Sequence, residues 1–117
     1  MKKALFAALA VSVWCVAASA GVTPTGNYHA LSIVTCGRFM EIRKNPSNNV
    51  IDWYVAGYLT AVNFHLDDTY NILGSSDIPS VLLWLEKYCG KEPLSNIQVG
   101  LALLVIELYP NRKVKAP

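Results

Sequence analysis

The sequence predicts a small all-α domain of four helices held by one disulfide. Three observations lead there: apolar residues recur at helical spacing, capping residues and prolines bracket those segments, and two cysteines remain once an export segment is set aside.

The first twenty residues, MKKALFAALAVSVWCVAASA, place Lys2 and Lys3 before an apolar run that closes on Ala18-Ser19-Ala20, the small-x-small pattern a signal peptidase accepts. A cleaved signal peptide over 1–20 and periplasmic export are expected, with the chain then starting at Gly21. Lipidation at Cys15 fits poorly because bulky Trp14 precedes it. The run is also short of the ~20 apolar residues a bilayer span requires, so no stable membrane insertion is expected. Losing Lys2 and Lys3 leaves eight Lys and Arg against eight Asp and Glu. A formally neutral chain without a basic cluster argues against a nucleic-acid partner. Only NRKVKAP is locally basic, and it reads as a solvated tail over 111–117.

Cys36 and Cys89 remain after the cut. Two thiols in an exported chain most often pair, a reactive or metal-bound pair being the alternative.

The leader, 21–34, opens with the turn-rich GVTPTGN and continues through YHALSIV as either an extended segment or a loose first turn. The helical domain is expected over 35–110. Thr35 caps a first helix through TCGRFMEIRK, with Arg43 and Lys44 at the end where cations suit the helix dipole, and NPSNN breaks it. The second helix is capped by Asn49 and carries Asp52 in its first turn. Ile51, Val55, Tyr58, Leu59 and Val62 form one face of it. Its other surface, with Trp53, Gly57, Thr60, Ala61 and Phe64, has no charge, so the helix is expected to be surrounded on several sides, another helix approaching at Gly57 and Ala61. After the mixed connection HLDDTYNILGSSDIP, Asp77 and Pro79 start a third helix through SVLLWLEKYC. Gly90 is expected to supply its left-handed cap, and Pro93 to prevent its resumption. Ser95 and Gln98 have capping-box spacing before a fourth helix, VGLALLVIELY, which Pro110 stops. Glu107 is its only charge, so it is expected either at the centre of the core or against another subunit. A strand is the alternative for LALLVIELY, which the caps and Pro110 disfavour.

Chemistry-bearing patterns are few. His29 and His65 have no metal or triad spacing, and Asp67 and Asp68 beside His65 suit solvated or capping roles better than a metal site. No GxSxG, HExxH, CxxC or phosphate loop occurs. No catalytic residue, metal ligand or cofactor is therefore assigned, and an enzyme is not expected. The aromatics Trp53, Tyr54, Tyr58, Trp84, Tyr88 and Tyr109 fill the core, or form in part a surface for a second copy or another protein. The candidate surface is Trp53, Tyr54, Tyr58, Trp84, Leu103 and Ile106.

TCGRFM, WYVAGYLTAV and YCGKEPLSNI, spread over about residues 34–110, resemble the HdeA/HdeB family of periplasmic acid-stress chaperones. The resemblance implies an all-helical fold with one disulfide, a cysteine opening an early helix and another closing a later one. The same stretches with ELYP are similar to Tai-type immunity proteins, helical dimers that neutralise type VI secretion amidase effectors, although Asn111 stands where that group often has a cysteine. The first resemblance implies apolar helical surface that binds unfolded clients in acid. Below about pH 3 the carboxylates and both histidines are protonated, and the charge rises towards about +10. The second implies a polar stretch such as HLDDTYN entering the cleft of a secreted effector. Both imply other proteins as partners and a homodimer.

Overall fold

The computed structural model describes Thr25 and residues 27–117. The expected signal segment, with Cys15 and the cleavage after Ala20, lies outside these residues. The described chain forms four α-helices: α1 (Cys36–Arg43), α2 (Val50–His65), α3 (Ile78–Lys91) and α4 (Ile97–Leu108), followed by a 3₁₀ turn at Tyr109–Asn111. The all-α class is thus as the sequence predicts, and LALLVIELY lies within α4 and that turn.

Residues 27–34 form no helix and bend at Leu31. α1 begins at the expected cap, where Thr35 Oγ1 accepts the Arg38 N–H at 3.2 Å. This start is stitched to that of α4: Cys36 N donates to Ser95 O at 2.9 Å and Ile97 N to Val34 O at 3.0 Å. Each bond satisfies a first-turn N–H that has no partner within its own helix. The Cys36–Cys89 disulfide ties the same point to the end of α3, so three helix ends are joined in one place.

Three capping expectations are corrected. Asn49 occupies the N-cap position of α2, but its side chain accepts no capping bond, because its backbone (φ −99°, ψ 12°) lacks the extended conformation a capping side chain needs. Asn48 Oδ1 instead accepts the Val50 N–H at 3.2 Å. Gly90 is not a left-handed cap: α3 continues through it to Lys91, and Glu92 N still donates to Tyr88 O at 2.9 Å. The stop comes from the turn around Pro93, closed by Ser95 N to Glu92 O at 2.9 Å. The cap of α4 is Asn96, whose Oδ1 accepts the Val99 N–H at 3.0 Å, and not Ser95. The Ser95 hydroxyl is engaged with the Tyr88 hydroxyl at 2.6 Å. Asp77 behaves as expected, accepting the Ser80 N–H at 2.8 Å, with Pro79 in the first turn.

α3 packs against α1, α2 and α4. Phe39, Val55, Leu85, Ile97 and Leu101 are fully buried around it, as is Ile72 from the α2–α3 connection. Burial of each such side chain is worth about 1.5–3 kcal/mol. Gly100 allows the closest α3–α4 approach, since a Cβ there would stand 2.8 Å from the Tyr88 ring. At the polar edge, Arg43 Nε donates to Glu86 at 2.8 Å, joining α1 to α3. Its guanidinium lies 3.9 Å from an Asp52 oxygen on α2, an electrostatic contact too long for a hydrogen bond.

The connection is more ordered than its mixed polarity suggests. Asn63 Oδ1 accepts the Ile72 N–H at 2.7 Å, holding the chain as Ile72 enters the core. Gly74 has φ +61°, and a Cβ there would collide with the Asn111 carbonyl oxygen, so both conformation and space require glycine. Asn71 and Lys113 exchange backbone bonds at 3.0 and 2.9 Å, and Arg112 reaches the Asp68 carbonyl at 3.1 Å while its guanidinium lies 3.8 Å above the Tyr109 ring. The tail is therefore bound to the connection as far as Lys113, and residues 114–117 beyond it are exposed.

Candidate functional site

Both cysteines are buried and bonded to each other, which removes the reactive-thiol and metal-bound alternatives in this oxidised form. Among the described residues no group of three or more His, Cys, Asp or Glu side chains is placed to hold a metal ion, including that around His65, Asp67 and Asp68. No helix among them is long and apolar enough to cross a membrane.

The six candidate surface residues divide into two sets. Tyr54, Tyr58 and Trp84 are half-buried and pack against the core. Tyr54 Oη accepts a 2.7 Å bond from Gln98 Nε2, linking α2 to α4. Burial raises the Tyr58 pKa above its ordinary value of 10.0, and the neighbouring Tyr28 and Tyr54 phenols add to the effect. Trp84 lies parallel to Tyr88 and donates its indole N–H to Glu107 at 3.1 Å across the α3–α4 groove. Trp53, Leu103 and Ile106 are exposed, and they do not form one patch by themselves: Trp53 is on α2 and the other two are on α4.

A broad concavity lies against α4. Val99, Leu103 and Ile106, spaced i, i+4 and i+7, line its outer face, and Ile106 is 70% exposed. The leader runs beside the N-terminal half of this face. Gln98 holds it there, donating to Ser32 O at 2.7 Å and accepting from Val34 N at 3.3 Å. Between leader and helix lies a cleft of about 440 Å³ lined by Tyr28, Ile33, Val99, Ala102 and Leu103, with His29, Asn96 and Gln98 as its polar groups. A second apolar groove of about 280 Å³ separates α2 from α4, lined by Tyr58, Ala61, Val62, Leu66 and Val105 with His65 at its end. Such clefts accept apolar side chains and orient them by a few polar groups at the margin.

Sequence reasoning missed Tyr28, Ile33, Val99 and Gln98 as parts of this surface. Val99 was legible from helical spacing alone, since it shares the face of Leu103 and Ile106. The leader's part was not, because the Ser95–Gln98 spacing signals a capping box, and nothing local shows that Gln98 bridges to Ser32 and Tyr54. The outer face of α2 is also unlike the expectation of a surrounded helix. Trp53 and Phe64 are 71% and 85% exposed, and a Cβ at Gly57 would meet nothing within 4 Å.

Two exposed carboxylates away from this surface, Asp77 and Glu41, are held below their ordinary range. The Ser80 side-chain and backbone groups hold Asp77 below its ordinary 3.8, and Lys44 holds Glu41 below 4.5. A carboxylate whose folded pKa is depressed contributes stability above its unfolded pKa, and loses it as pH falls through the folded value. Asp77→Asn, which retains a capping oxygen, is therefore expected to be less stable than the wild type at neutral pH, and the gap should close below the aspartate range. Thermal midpoints of both proteins from pH 7 down to pH 2 provide the measurement; a gap that persists unchanged at pH 2 would refute it.

No family model, no curated protein and no solved structure matches the chain.

Proposed function

We propose that this is a non-enzymatic, exported protein-binding module of the acid-stress chaperone type, which engages apolar segments of unfolding proteins through the outer face of α4 and the adjoining leader cleft. The observation that carries the reading is the uncharged stripe Val99–Leu103–Ile106 beside a cleft of about 440 Å³ with an apolar lining. Apolar surface of this extent left in water favours association with other apolar surface. A buried disulfide that joins the start of α1 to the end of α3, where backbone bonds also hold the start of α4, suits a module that must retain a frame while carboxylates are neutralised.

The test is light scattering of an acid-unfolded client returned to neutral pH. Suppression of aggregation that scales with the amount of protein, and that Leu103→Asp and Ile106→Asp weaken, is the expected result. No suppression at any ratio overturns the reading.

One observation favours a second reading, that of an immunity protein inserting a polar turn into a secreted enzyme's cleft. The exposed Asp67-Asp68 turn is preorganised, with Asp68 at φ 51° and its carbonyl held by Arg112. Preorganisation lowers the ordering cost of inserting such a turn. Inhibition of a secreted amidase that is lost with Asp67→Ala or Asp68→Ala would select this reading over the first.

A further inference from the structure

Trp84 and Tyr88, one turn apart on α3, lie within 7° of parallel with their ring centroids 5.8 Å apart. Both rings are fixed against α4. Tyr88 rests on Gly100 and its hydroxyl is tied to that of Ser95, while Trp84 donates its indole N–H to Glu107 at 3.1 Å. Beside them lies a groove of about 240 Å³, lined by the two rings with Lys87, Lys91 and Glu107. Both lysines are exposed, and their i, i+4 spacing on α3 puts them about 6 Å apart on one edge of the groove. The ion pairs among the described residues engage Arg43 and Lys44, and neither Lys87 nor Lys91 takes part in one. Past Trp84 and Glu107 the surface dips again, into a depression of about 190 Å³ with Ser76 and Ser80 among its lining.

We propose that this groove binds an acidic saccharide, one pyranose ring lying on Trp84 and Tyr88 with its carboxylate between Lys87 and Lys91. Aromatic faces carry partial negative charge, and one face of a pyranose presents polarised C–H groups that pack against them. Two ammonium groups against the single carboxylate of Glu107 leave an excess of positive charge, which selects an anion. Glu107 gives only part of its accepting capacity to the indole, because a carboxylate has about four lone-pair sites, and the rest can take a ring hydroxyl. Size points the same way. Pockets for drug-sized ligands run to about 300–1,000 Å³, so each of these smaller depressions suits one ring. Their succession past Trp84, with hydroxyl groups in the second, suits linked sugar rings rather than one planar aromatic anion. None of these residues belongs to the leader cleft or to the Val99–Leu103–Ile106 stripe, so the inference stands or falls independently of client binding.

Titration of the ¹⁵N-labelled protein with glucuronate at constant ionic strength, following the Trp84 indole N–H resonance, supplies the test. A ring of about a dozen heavy atoms at ordinary ligand efficiency is held with about millimolar strength. The Trp84 resonance should therefore shift and saturate in that range, while the Trp53 resonance stays in place. Glucose and acetate should each bind at least fivefold more weakly. The double variant Lys87→Gln with Lys91→Gln, at two exposed positions, should lose at least fivefold in glucuronate affinity with its circular dichroism and its response to glucose unchanged. No saturable shift at Trp84 overturns the inference. Glucose binding as strongly as glucuronate overturns the acidic class, and acetate doing so reduces the groove to a simple anion site and overturns the saccharide. A double variant that binds glucuronate like the wild type overturns the part given to the lysines.

Discussion

Replacing Cys36 and Cys89 by serine is expected to lower the stability of the protein by about 4 kcal/mol, the entropy cost of leaving open a loop whose ends are 53 residues apart. For a domain of this size that is a fall of about 15–30 °C in the thermal midpoint. The effect is large because the bond closes most of the helical domain, with α1, α2 and nearly all of α3 inside the loop. It also unites the start of α1 with the end of α3 at the place where Val34 and Ser95 bond the first turns of α4 and α1. Calorimetry of the double variant against the oxidised wild type gives the comparison. A loss below about 1 kcal/mol would mean that the backbone stitches hold this junction without the covalent link.

The second large effect is expected at Ile72. It lies in a connection rather than a helix, yet it is fully buried and belongs to the same core cluster as Val55, Leu85 and Leu101. Ile72→Ala should cost about 2–5 kcal/mol, as truncation of a core aliphatic does when its surroundings collapse only partly. The change should also be felt at the C-terminus, because Asn71, next in the chain, pairs with Lys113. Denaturant unfolding measures the first consequence, and faster hydrogen exchange at the Asn71 and Lys113 amides reports the second. Unchanged exchange at both amides would separate the latch from the core.

Helix existence and order were legible in the sequence for local reasons. Thr35, Asp77 and the apolar spacing of Ile51, Val55 and Leu59 act within one or two turns, and one or two turns are what a sequence displays. Gly90 and Ser95 show where this fails. Each residue type suits a helix end, but which end residue is used depended on contacts from elsewhere: Ser95 is engaged by Tyr88, and the chain after Gly90 keeps helical bonds until the Pro93 turn. For the candidate surface, the sequence picked out Trp53, Leu103 and Ile106 as apolar positions on helices. It also included Tyr54, Tyr58 and Trp84, which the fold turns towards the core, because an aromatic on a nearly uncharged helix has the same local signature inside and outside.

By itself the sequence determined the all-α class, the four helices, their order and a pair of cysteines suited to one bond. These follow from periodicity, caps and count, which need no knowledge of distant neighbours. Only the tertiary structure decided that Ile72 joins the core, that Gln98 straps the leader to α4, that Lys113 closes onto Asn71, and that α2 turns Trp53, Gly57 and Phe64 outward. Each of these depends on residues far apart in the chain meeting in space, and the energy that selects among such meetings belongs to the packed whole rather than to any one segment.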